Sequence, residues 1–155
     1  MSSVRERVIV GAKEVLNATP LPVGIPQAQR ARSFAMRAGL FPRILVHFKD
    51  DNQEPVGGDW GPLSEHHMRL RVSCYASGSD SIGADEAADP LCVHVEKRLI
   101  DAAEDTATTF GQLVNKAHLV ESKAIYDQAE FAVVRVDMVF VVEFQSRTDD
   151  PEQVA

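Results

Sequence analysis

Histidine, cysteine, serine and carboxylate positions are where this chain could do chemistry. Glu65-His66-His67 offers two imidazoles and a carboxylate in a row, the residue types of a metal site. Zinc needs three or four convergent ligands, and adjacent residues of a strand point to opposite faces. The run therefore reads as a polar strand end. His94 falls on a helical stretch near Glu96 and Asp101, but no partner three or four positions away completes a relay. It reads as an exposed or half-buried helical histidine. A nucleophilic Ser or Cys needs an adjacent base. Gly78-Ser79-Asp80 and Ser81-Ile82-Gly83 have turn chemistry and form no Gly-x-Ser-x-Gly elbow. Gly57-Gly58-Asp59-Trp60-Gly61 lacks the Lys-Ser/Thr pair of a phosphate-cradling loop. Cys74 and Cys92 share no metal or redox spacing and read as reduced, mostly buried thiols. No catalytic constellation, metal site or cofactor is expected.

What remains is charge. The 155 residues carry a formal net charge of -7, with 45% hydrophobic and 25% charged residues. Tight sequence-independent binding of nucleic acid rests on cations neutralising phosphates, so this balance opposes it. An acidic surface past which DNA slides without sticking stays open. Acidic clusters at Asp50/Asp51, Asp101/Glu104/Asp105 and Asp149/Asp150/Glu152 read as solvated surface. The alternative is that they meet the arginines of residues 27–43 on a neighbouring subunit. The expected assembly contacts are Arg30, Arg32, Arg37 and Arg43, Asp50, Asp51 and Trp60 in residues 49–66, and Arg69 and Arg71 on a charged strand face. Trp60 suits core packing or an interface anchor. No apolar run approaches the ~18–20 residues of a membrane span, and residues 1–7 do not read as a signal peptide.

The elements that must position these residues follow from period and punctuation. Residues 3–17 form a helix: Ser3 and Glu6 have capping-box spacing, and Val8, Ala12, Val15 and Leu16 share a face. Residues 20–39 stay undecided: Val23 and Ile25 suit an edge strand or an extended loop, and residues 27–39 a helical turn or a strand with an exposed face. Residues 41–48 alternate as a strand. Residues 49–66 read as a polar loop, long enough to be informative. Residues 67–75 are a strand with Met68, Leu70, Val72 and Cys74 on one face. Asp89-Pro90 reads as the cap and first position of a helix reaching residue 104, with a weaker start at Asp85. Residues 114–120 suggest a strand followed by a turn. Residues 131–145 form the longest strand, with Val134, Val136, Met138, Phe140, Val142 and Phe144 on one uninterrupted face. Its other face is partly apolar too, which places it inside the sheet. The expected architecture is one α+β domain, residues 1–146, with a polar tail, residues 147–155. Its sheet is mixed, mainly antiparallel, of four to five strands flanked by two main helices.

This arrangement resembles the tail terminator proteins of long-tailed bacteriophages, the lambda-type minor tail protein U group. The resemblance is carried by the first helix, the strand Leu40-Phe41-Pro42-Arg43-Ile44-Leu45-Val46, and the strand Leu70-Arg71-Val72-Ser73-Cys74-Tyr75 ending in an aromatic. It continues through the helix Ala88-Asp89-Pro90-Leu91 and a closing strand before Thr148-Asp149-Asp150-Pro151-Glu152. The resemblance implies a non-enzymatic virion protein, assembled in the host cytoplasm into the virion tail. It would form a homo-oligomeric ring, normally a hexamer, that caps the tail tube, stops its polymerisation and joins tail to head. Its partners would be the major tail tube protein and a neck or connector protein, with genome DNA only passing through the lumen and no membrane. A neck or head-completion protein, and a small cytosolic enzyme or ligand-binding domain, stand as alternatives.

Overall fold

Ser3 opens the first helix as its sequence spacing requires. In a computed structural model that describes residues 2–31, 41–56, 62–79, 81–128, 132–147, 150 and 152–154, α1 spans Val4–Leu16. The Ser3 hydroxyl accepts the Glu6 N–H at 3.1 Å, closing one orphan donor of the first turn. The Glu6 carboxylate faces Arg30 instead of reaching back, at 3.1 and 3.3 Å. Asn17 stops the helix and starts the sheet. Its side-chain amide donates to the Ala28 carbonyl at 2.9 Å and accepts the Ala28 N–H at 2.6 Å, imitating a strand neighbour. That tether holds β1 (Ala28–Arg30), the short strand within the undecided stretch, while Gly24 takes the positive φ of the turn before it.

The sheet has five strands in the order β1-β2-β3-β5-β4. β2 spans Arg43–Val56, β3 Leu63–Ser77, β4 Val114–Gln128 and β5 Ala132–Arg147. Only β1 and β2 run parallel; the other three pairs are antiparallel. The architecture is therefore α+β with a mixed, mainly antiparallel sheet, and β5 lies inside it between β3 and β4 as its two apolar faces required.

Residues 49–66 are not a loop where they are described. β2 continues to Val56 and pairs with β3 back to Leu63, so their polar residues are the arms of a hairpin. Gln53, Glu54 and Pro55 are solvent-exposed, and an arm bare on both sides shows none of the alternation by which a half-buried strand is recognised. Pro55 fits because, among the described residues, β1 pairs only with Ile44–Val46 on that side of β2. β4 likewise exceeds its expected length, running straight through the expected turn to Gln128. At about 3.3 Å per residue the long strands reach about 50 Å. The two hairpins point to opposite ends: Leu63 pairs with Arg147 at one, and Gln128 with Ala132 at the other.

α2 spans Ala84–Ala103, capped at Gly83, so Asp89-Pro90 lies inside it and does not begin it. Ala84 and Ala88 pack on Ala76 and Val134, and that burial holds the early turns together despite the donor Pro90 lacks. His94, on the same helix, is buried and donates Nε2–H to the Leu16 carbonyl at 3.1 Å, joining α2 to the end of α1. A short α3 (Thr109–Leu113) brings Phe110 beneath Gly11. All three helices cover one sheet face, where Ile44, Met68, Leu70, Met138, Phe140 and Phe144 are fully buried. A methyl group on Gly111 would sit 2.0 Å from the Asp105 carbonyl oxygen and 2.4 Å from that of Ala102. Gly111→Ala should therefore destabilise the fold by about 3 kcal/mol, read as a lowered urea midpoint with an unchanged slope. An unchanged midpoint would refute this packing.

Candidate functional site

One bulge decides where the acidic pair of β2 points. The β2–β3 register slips between Phe48 and Asp50, and inserting one residue re-aims everything beyond it. Asp50 then opposes Arg69 on the helix-free face, and its carboxylate accepts Arg69 Nε–H at 2.7 Å and a second guanidinium bond. That hydrogen-bonded cation holds the Asp50 carboxyl below its usual range. Asp51 opposes Met68 on the core face, its side chain only 3% exposed.

At that end of the core Asp51 meets two residues from other strands. Its Oδ2 lies 2.7 Å from His66 Nδ1, and His66 Nε2 lies 2.7 Å from Ser146 Oγ. His66 and Ser146 are 4% and 3% exposed, and the imidazole stacks on Phe144 at 4.4 Å. Neutral His66 would donate Nδ1–H to the carboxylate and accept the serine hydroxyl. Arg5 approaches Asp51 Oδ2 at 3.9 Å, and Asp51 Oδ1 has no hydrogen-bond partner among the described residues. Sequence spacing hid this relay, because its members come from three strands and are joined only by register.

Asp–His–Ser in this order of contacts is the arrangement of acyl transfer. Such chemistry needs a reachable serine and donors for an oxyanion. Ser146 instead lies within a strand, pairing with Ser64 on one side and bridging to Val154 on the other. The tail folds back over it: the Arg147 N–H donates to the Gln153 carbonyl at 3.0 Å, and Arg7 bonds the Glu152 carbonyl. The geometry makes the relay a buried polar tie joining β2, β3 and β5 beneath this strap. His67 points the other way, between Glu65 at 3.7 Å and Glu143 at 3.5 Å, as alternation demands.

The helix-free face collects most of the described cations expected to act in assembly. Cross-strand rows read Arg43–Tyr75–Arg135–Ile125, then Leu45–Ser73–Asp137–Lys123, then His47–Arg71–Val139–Glu121. Ser73 donates to Asp137 at 2.7 Å, and Arg135 Nε stands 3.2 Å from the same carboxylate without hydrogen-bond alignment. His47 is pushed down to about 4 by burial first and the Arg71 charge second. Arg30 sits apart, paired with Glu6. Arg32, Arg37 and Trp60 lie outside the described residues. Cys74 and Cys92, far apart in sequence, face each other between β3 and α2; the neighbouring sulfur and then burial raise the Cys74 thiol.

A groove of about 790 Å³ opens on the helix layer, lined by the end of α1, residues 18–25 and the outer side of α2. None of the relay residues lines it. No helix among the described residues is long and apolar enough to cross a membrane. No protein-family model and no curated protein matches the chain. Among solved structures it is similar to a chain of the "Virion of native gene transfer agent (GTA) particle", at 14% identity and a TM-score of 0.46, covering 93% of this chain and 92% of that one. A likeness at this level carries no inference about role.

Two outcomes follow from the geometry. Ser146→Ala should destabilise the protein by about 1–3 kcal/mol, because it leaves a buried imidazole nitrogen unpaired; a stability unchanged within 0.5 kcal/mol, about the scatter of surface substitutions, would refute the tie. His47 titrates at about 6.5 when free and about 4 when folded, so the unfolded chain binds more protons between those values. Its contribution is intact above pH 6.5 and is lost as the pH falls toward 4. His47→Gln should flatten the fall of melting temperature between pH 6.5 and 5, and an identical slope would show that His47 does not carry it.

Proposed function

We propose that this chain is a structural protein of a phage-type tail, a subunit of a closed ring that caps the tail tube, ends its polymerisation and presents the head-joining surface. The observation that carries the reading is the division of the molecule. One sheet face holds the helices and core, while the outer strands β2 and β4 present exposed polar stretches, residues 52–55 and 121–124, towards opposite ends of the sheet. Surfaces of this kind suit a part made of contacts. The element order implied by the tail-terminator resemblance supports it as well: a first helix, a strand from Arg43, a strand through Tyr75, a helix containing Ala88–Leu91 and a long closing strand. In this reading the ring is a hexamer in the virion tail, meeting the tube protein on one side and a neck or connector protein on the other. DNA passes through a lumen whose walls belong to a chain of net charge -7.

Size-exclusion chromatography with light scattering should give a hexamer as concentration rises or tail-tube protein is added. Tubes assembled with the chain should stop growing at capped ends in electron micrographs. A monomer at every concentration, with tubes elongating as though it were absent, would overturn the reading. The relay favours one competitor, a serine-dependent hydrolase. A fluorophosphonate probe should leave folded protein unlabelled, since Ser146 is buried and bonded; stoichiometric labelling lost in Ser146→Ala would favour the enzyme.

A further inference from the structure

Arg71 is a cation without a counterion. It opposes His47 on β2 and Val139 on β5, half-buried on the helix-free face. The carboxylates of the two adjoining rows are engaged: Asp50 bonds Arg69, while Asp137 accepts Ser73 and stands beside Arg135. Glu121 shares the row of Arg71 but lies two strands away, beyond Val139. Among the described residues Arg71 forms no ion pair. Its Nη2 donates to His47 Nδ1 at 3.4 Å, and its Nε is shielded from water with no acceptor. A guanidinium partly withdrawn from water with no anion beside it is costly, and it marks a place where an anion belongs.

His47 repeats the pattern. Because Arg71 donates to Nδ1, the neutral imidazole carries its proton on Nε2, and that N–H is also shielded and without an acceptor. The charges acting on His47 are Arg71, Arg135 and Arg30 against Asp137 alone. The sequence deepens the imbalance. From Val15 to Lys49 it holds four arginines and a lysine but no acid, although the chain has 23 acidic residues. Residues 32–40, which lie outside the described residues, therefore have no carboxylate to offer Arg71. A carboxylate suits the place better than a phosphate. Its single charge balances one unpaired cation, whereas a phosphate monoester would turn a second charge toward Asp137. A nucleic acid would bring a row of phosphates to a chain of net charge -7.

We propose that Arg71, flanked by His47, receives a carboxylate side chain of a partner protein on the helix-free face. The site belongs to one face of the single chain and does not depend on the ring. Acetate is the probe, titrated into the full chain at constant ionic strength with chloride as the balancing anion, and NMR reads the result. In chloride the His47 ring should titrate at about 4. Acetate at Arg71 offsets the guanidinium charge that lowers this value, so the midpoint should rise by about one unit and the Arg71 Nε–H signal should move downfield, both saturably. The rise should vanish in Arg71→Gln and persist in part in Arg71→Lys, with circular dichroism confirming that each is folded. A variant that does not fold leaves the wild-type titration to decide. A His47 midpoint that stands in acetate where it stands in chloride, or that rises equally in folded Arg71→Gln, would overturn the site. A larger rise with inorganic phosphate than with acetate at equal concentration would overturn the carboxylate as its ligand.

Discussion

The unbroken register between β3 and β5 is the constraint on which the rest of the molecule depends. From Leu63 opposite Arg147 to Ser77 opposite Val133 the two strands stay in step without a bulge. Side chains alternate with a period of two, so that single alignment decides which residues of both strands face the helices. Met68, Leu70 and Val72 meet Val142, Phe140 and Met138 row by row, all of them buried. A slip of one residue would turn arginines into the core and phenylalanines out of it. The outer strands are less regular. β2 slips register once against β3, and β4 slips twice against β5.

The relay is a consequence of that register combined with one irregularity. His66 and Ser146 lie at the end of the core face because alternation carries them there. Asp51 joins them only because β2 slips between Phe48 and Asp50. Without the slip Asp50 would oppose Met68, and the carboxylates would exchange faces. A buried carboxylate is tolerated where a hydrogen-bond donor meets it, and His66 at 2.7 Å supplies one. The tail strap then closes over the site, so the sequence segment furthest from α1 ends against Arg7.

What could be read from the chain divides along the same line. The first helix and the core face of β3 were legible because one face of each is apolar and the other is not, and β5 because one of its faces is apolar without interruption. The hairpin arms were not legible. Between Asn52 and Pro55 both faces are wet, the acids before them read as turn formers, and only pairing with β3 makes the segment a strand. The start of α2 was misplaced because Asp-Pro is a strong local signal, outweighed here by Ala84 and Ala88 packing on Ala76 and Val134. The opposite pointing of His66 and His67 followed from alternation alone. The partners of His66 did not, since Asp51 and Ser146 reach it through a bulge and a distant strand. Arg43, Arg69 and Arg71 do share one face; Arg30 is taken up by Glu6.

Net charge bears on assembly through distance. A chain at -7 repels its copies, yet that repulsion is screened over about 8 Å at physiological ionic strength. Centres of neighbouring subunits are farther apart than that, whereas groups in a contact stand within a few ångströms. Contact-range pairing therefore outweighs the global charge, as it does within the chain, where Asp50 bonds Arg69 and Asp137 stands beside Arg135 on the helix-free face.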